Sequence, residues 1–99
     1  MPSKESTIQS KILKYLNSLS KCKAVKYSGG YYSKNGTPDI LCCYQGHFMA
    51  FEVKTEKGKI TKLQQIEIEG WKKSGASALT VRSVDDVKRH FNEGGRSNE

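Results

Sequence analysis

The chain has 99 residues, 17 of them lysine or arginine and 10 aspartate or glutamate, for a formal net charge of +7 and a pI near 9.4. Such a length supports one hydrophobic core and excludes a catalytic domain joined to a separate recognition module. No apolar run approaches the roughly 20 residues of a membrane span and no charged start precedes a leader-like apolar stretch, so a soluble intracellular protein is expected.

Apolar residues at Ile8, Ile12, Tyr15, Leu16 and Leu19 recur at helical spacing and predict a helix over Ser3 to Leu19, with Ser3 as its N-cap. A short strand is expected over Ala24 to Tyr27. The glycines and proline of Ser28 to Pro38 make that segment a loop. Asp39 to Tyr44 and His47 to Thr55 are rich in strand formers and are joined by Gln45-Gly46, a hairpin turn. Lys59 to Ser74 reads as a second helix with Ile60, Leu63, Ile68 and Trp71 on one side and Gly75 as its stop.

Ala78 to Arg82 is a further strand, and Ser83 to Asp86 resembles a capping box opening a last helix whose Val84, Val87 and Phe91 share a face. The order α-β-β-β-α-β-α predicts an α/β fold, a mixed sheet flanked by helices, as a single domain over residues 1–92. The tail 93–99 lacks apolar residues and is expected to be disordered. Cys42 and Cys43 are adjacent in a strand, hence on opposite faces, and no CxxC or zinc spacing exists; the cysteines, Cys22 included, read as small core residues in a reducing compartment.

The hairpin raises a chemical question. With Gln45-Gly46 as the loop, Tyr44 faces His47, and the same register sets Asp39 opposite Glu52, where Cβ atoms are ~5 Å apart. Lys54 falls on the same sheet face as Glu52, while Phe51 and Val53 take the other. Two carboxylates so placed repel each other, and a hard divalent cation that bridges them would explain their pairing. The plainer alternative is a solvated face on which Lys54 screens Glu52.

Glu5 stands at the head of the buried stripe of the first helix, where it either joins these charges or simply complements the positive end of the helix. Gln64 lies within the apolar face of the second helix and either ties down backbone or faces the acidic pocket. Glu67, beside it, has no firm role and is open to two readings, an interface residue or one that supports the pocket residues from behind.

Gly36-Thr-Pro-Asp39 followed by Phe51-Glu52-Val53-Lys54 has the spacing of the PD-(D/E)xK nuclease motif. Taken with Glu5-Ser-Thr-Ile-Gln9, Ser28-Gly29-Gly30, Gly58 to Gln64 and the pattern from Gly75 to Val81, it makes the chain resemble a VRR-NUC domain over about Glu5 to Phe91, similar to stand-alone bacteriophage-type members. The resemblance implies a restriction-endonuclease-like fold and Mg2+- or Mn2+-dependent hydrolysis of phosphodiesters. It implies that Glu5, Asp39 and Glu52 hold the metal with the carbonyl of Val53, that Lys54 is the motif lysine, and that Gln64 is the glutamine after the ExK strand. It further implies a homodimer, in the host cytoplasm for a viral protein. Glu67 departs from the family, whose residue there is usually aromatic or apolar.

The basic charge makes a polyanion, nucleic acid or an anionic membrane, the expected partner class; the resemblance implies nucleic acid, DNA ahead of RNA and branched substrates included, and no membrane role. Tyr31, Tyr32 and Lys34 in the loop are candidates for stacking and backbone contact, and Lys57, Lys59 and Lys62 for phosphate contact, unless they form only a solvated surface. A chain this small has little room to read base edges, which favours recognition of shape, such as junctions and flaps. Two rivals stay open: a basic nucleic-acid-binding module that never cuts, and a hydrolase of mononucleotide phosphates.

Overall fold

The computed structural model describes residues 3–28 and 35–92. Ser3 caps the first helix, α1 (Lys4–Asn17), its hydroxyl accepting from the amide of Ser6 at 3.0 Å. Ile12 and Leu16 on this helix are fully buried. At its far end Asn17 makes a two-bond staple to Ala24, donating to the carbonyl at 3.0 Å and accepting from the amide at 2.9 Å. The staple fixes the helix over the first strand, β1 (Cys22–Lys26), which begins two residues before the predicted start. The early start follows from pairing: Cys22 lies opposite Tyr44 of β2 (Ile40–Tyr44).

β2 and β3 (His47–Val53) form the predicted hairpin, with Tyr44 opposite His47 and Ile40 opposite Phe51. Gln45 and Gly46 both adopt positive φ, 50° and 84°, the geometry of the two-residue turn whose twist matches that of paired strands. The sheet runs in the order β1-β2-β3-β4, antiparallel except for β3 beside β4 (Ser77–Val81), which are parallel. Five consecutive residues of β3, Met49 to Val53, are buried, because helices cover both faces of this inner strand.

On one face Met49, Phe51 and Val53 join Ile12, Leu16, Val81 and Val87, a core closed by α1 and α3 (Val84–Asn92). On the other, Ala50 and Ala78 meet Ile68 of α2 (Lys62–Lys73), with Phe48, Ile60 and Trp71 around them. Glu52 is thus flanked in sequence by two residues of the first core. The mixed α/β order α-β-β-β-α-β-α is as expected.

Three local expectations are corrected. Leu63 is 55% exposed and does not share the buried side of α2; five positions separate it from Ile68, about 140° around the helix. The second helix starts at Lys62 because Thr61 forms its cap, so Ile60 packs from the preceding turn. Cys43 is exposed, since the alternation that buries Cys42 turns it outward. Cys22 and Cys42 come together, their sulfurs 3.5 Å apart across β1 and β2. At α3 the Ser83 hydroxyl accepts from Asp86, but the Asp86 carboxylate reaches past Ser83 to the amide of Arg82 at 2.8 Å.

Gly36 couples the loop before β2 to α2. Its φ is +87°, and a Cβ there would lie 2.8 Å from the carbonyl oxygen of Leu63. Gly36→Ala therefore combines backbone strain with a clash against helix backbone and is expected to destabilise the protein by more than about 1 kcal/mol. A urea melt reads this directly; an unshifted midpoint would show that the loop yields without cost.

Candidate active site

The site forms where β3 runs out of the sheet. Glu52 is 2% exposed, an unusual place for a carboxylate, and three neighbours account for its setting. Gln64 donates its side-chain amide to Glu52 Oε2 at 3.1 Å. The ammonium of Lys54 stands 3.9 Å from the same oxygen and is itself largely buried, at 13% exposure. The other oxygen, Oε1, is buried without a hydrogen-bond partner.

Asp39 completes the pair in a way that strand alternation alone does not give. The hairpin register holds as far as Ile40 opposite Phe51, but Asp39 sits in the bend just before β2. Its Oδ2 accepts from the amide of Val53 at 2.9 Å, extending the ladder by a side chain in place of a carbonyl. Val53 thereby enters the site through its amide, which fixes Asp39. The two carboxyl groups still meet: burial first, then the neighbouring Asp39 carboxylate, push Glu52 up to about 8, against the opposing pull of Lys54 and with a smaller push from Glu5.

The chain delivers Gln64 with its amide already oriented. As the third residue of α2 it completes a capping box, accepting from the Thr61 amide at 2.9 Å while its own amide donates to the Thr61 hydroxyl at 3.1 Å. The carboxamide oxygen is committed to backbone, which leaves the NH2 end to face Glu52. Both roles open to Gln64 are therefore filled by one side chain.

Glu5 approaches from the other side of the sheet. With Gln9 and Asp39 it lines a cavity of about 280 Å³ that also touches Lys26, Tyr27 and Ser28. Among the described residues no three carboxylate, histidine or cysteine side chains converge tightly enough to form a ready-made metal cluster. Asp39 and Glu52 are the close pair, and Glu5 exerts the weakest of the charges felt by Glu52.

The binding candidates divide. Lys57, Lys59 and Lys62 are exposed on the turn after β3 and at the start of α2. Tyr31, Tyr32 and Lys34, like the tail 93–99, lie outside the described residues. Glu67 is half-buried on α2.

Two further residues, Arg82 and Gln9, hold places that the local sequence pattern does not assign. Arg82 donates through Nη1 to the carbonyls of Thr55 and Gly58, each at 2.6 Å, and of Glu56 at 3.3 Å, holding the turn that carries Lys57. Its partners lie 24 to 27 positions away in the chain, beyond any local signal. Gln9 is 5% exposed within the stripe of α1; a polar residue inside that apolar spacing was the available clue.

The family model described as archaeal Holliday junction resolvase (hjc) matches residues 12–88. A solved structure titled "VRR_NUC domain" is 28% identical, with a TM-score of 0.77 over 92% of this chain and 97% of that one. A second, "VRR_NUC domain protein", is 18% identical with a TM-score of 0.71, covering 89% and 84% of the two chains, and supports the fold. No curated protein matches.

The raised Glu52 has a measurable consequence. From its ordinary value of 4.5 to about 8 the folded protein retains a proton that the unfolded chain has released, so stability falls as pH rises through that interval. Glu52→Gln removes the cost of ionising a buried acid. In metal-free buffer its melting temperature is expected to exceed that of the unaltered protein at about pH 9, with the gap closing below about pH 5. A gap independent of pH would mean that Glu52 titrates normally.

Proposed function

Since the chain belongs to the archaeal Holliday junction resolvase (hjc) family, we propose that it is a divalent-metal-dependent endonuclease that hydrolyses phosphodiester bonds in branched DNA. The observation that carries this reading is the buried Glu52, set against Asp39 with one oxygen unpartnered. A buried acceptor without a donor is costly in a protein that needs it only for packing. The cost is sensible if that oxygen is kept for a cation.

The donor set fits Mg2+ or Mn2+, which favour carboxylate oxygens. Asp39 and Glu52 would hold the ion together with the carbonyl of Val53, and Glu5 would act from across the cavity. When bound, such an ion polarises the scissile phosphate and makes water more acidic. The chain supplies the rest. Gln64 holds Glu52 Oε2, which leaves Oε1 for the ion, and the Val53 amide keeps Asp39 from rotating away.

Lys54, beside Glu52, offsets charge that grows on the phosphate oxygens as water attacks. One water is consumed: its hydroxyl joins phosphorus, the P–O bond to the leaving sugar breaks, and a proton ends on the leaving oxygen.

Lys57, Lys59 and Lys62 extend positive charge from the site along one side and would neutralise backbone phosphates, the term that gives affinity without sequence preference. The Arg82 contacts hold that turn in place. Two copies would bring two sites to two strands of a branch; the apolar surface of Leu63 and Ile66, exposed near each other on α2, supports such pairing.

The test is cleavage of four-way junctions, flaps and linear duplexes with Mg2+, Mn2+ or EDTA. Asp39→Ala, Glu52→Gln and Lys54→Ala are each expected to lower the rate by at least about 100-fold, and EDTA to abolish it. Full activity in all three variants would sink the assignment. Junction binding by the unaltered protein with no cleavage under either metal would instead identify a non-catalytic binding module.

A further inference from the structure

Gln9 is the one buried polar side chain besides Glu52 among the described residues, and neither capping, sheet pairing nor a salt bridge accounts for it. It lies one turn after Glu5 and close before Ile12 on the side of α1 that enters the core. Its Oε1 is sealed from solvent with no hydrogen-bond partner. A leucine or methionine would fill such a place without that penalty.

The cavity supplies the reason. Gln9 forms part of its wall together with Glu5 and Asp39, two residues of the acidic centre, and its volume of about 280 Å³ admits several waters. The wall is largely polar, with Ser6, Lys26 and Ser28 also lining it. A carboxamide carries a donor at one end and an acceptor at the other, and a half-turn about its last bond exchanges them. That half-turn would bring the oxygen, sealed from solvent in this conformer, to the cavity side, where it accepts from a water when Glu5 and Asp39 are engaged with a cation.

We propose that Gln9 is a positioning residue whose carboxamide oxygen holds the attacking water on the α1 side of the acidic centre, between Glu5 and Asp39. This inference rests on the nuclease reading given above. It assigns α1 a function beyond packing: its apolar stripe anchors the helix, and the single amide in that stripe faces the chemistry. The buried amide is a stability cost retained for activity, and the two effects of its removal should run in opposite directions.

Gln9→Met, nearly equal in volume, separates the possibilities. Its melting temperature in metal-free buffer should equal or exceed that of the unaltered protein. Its kcat on a junction substrate should fall by about 10–100-fold, with KM and the Mn2+ affinity from titration calorimetry little changed. A merely structural amide would give the reverse, a lower melting temperature with kcat intact, and either half of that result overturns the inference. Should the unaltered protein neither bind Mn2+ nor cut, the nuclease reading fails and the inference falls with it; binding and cutting that Gln9→Met leaves undiminished would refute the inference alone.

Discussion

A carboxylate kept out of water beside a second carboxylate is the constraint around which this molecule is arranged. Burying Glu52 raises its proton affinity, and Asp39 raises it further. Isolated, such a pair would drive the strands apart or stay protonated. The fold counters this in part: Gln64 donates to one oxygen of Glu52, Lys54 stands near the same oxygen, and the Val53 amide holds Asp39. Without a cation a proton retained on Glu52 relieves the repulsion; the unpartnered Oε1 beside Asp39 is the physical basis for the cation site proposed above.

The elements that carry these contacts are themselves fixed by local chemistry. Thr61 and Gln64 cap α2 reciprocally, so the same interaction that starts the helix aims the amide at Glu52. Gly36 brings the loop ahead of Asp39 against the first turn of that helix, closer than any side chain would allow. Across the sheet, Asn17 pins α1 to β1, which sets the height at which Glu5 and Gln9 meet the cavity. Stability and site geometry are thus properties of the same few bonds. Helix starts are used here as orienting devices.

Charge is distributed to match. The chain is basic overall, yet its buried ionisable centre is acidic. Surface lysines attract a polyanion at long range, while the acids would repel its phosphates at short range in the absence of a cation. Approach and chemistry are therefore controlled by different groups, and a bound divalent ion would be what reconciles them. Arg82 belongs to neither set: its charge is spent on three carbonyl oxygens and serves to shape the basic turn.

Much of this was legible in the chain itself. Periodicity located α1, the Gln45-Gly46 turn fixed the register that leads to Asp39 and Glu52, and alternation put Lys54 with Glu52, because helix and strand repeats and two-residue turns are local properties. The order of elements followed from the same signals. What distance in sequence concealed was of another kind. Leu63 was assigned to the core although only the packing of α2 decides which side is covered, and the Arg82 clamp joins segments with no shared pattern. The curl of Asp39 onto Val53 depends on where β2 stops pairing, and the isolation of Gln9 Oε1 and Glu52 Oε1 depends on what surrounds them from several elements at once. Sequence alone thus determined the order of elements and the hairpin register that leads Asp39 toward Glu52, since both are written in short-range repeats; tertiary structure alone decided which polar atoms are satisfied and which are not, since desolvation is set by every neighbour in space.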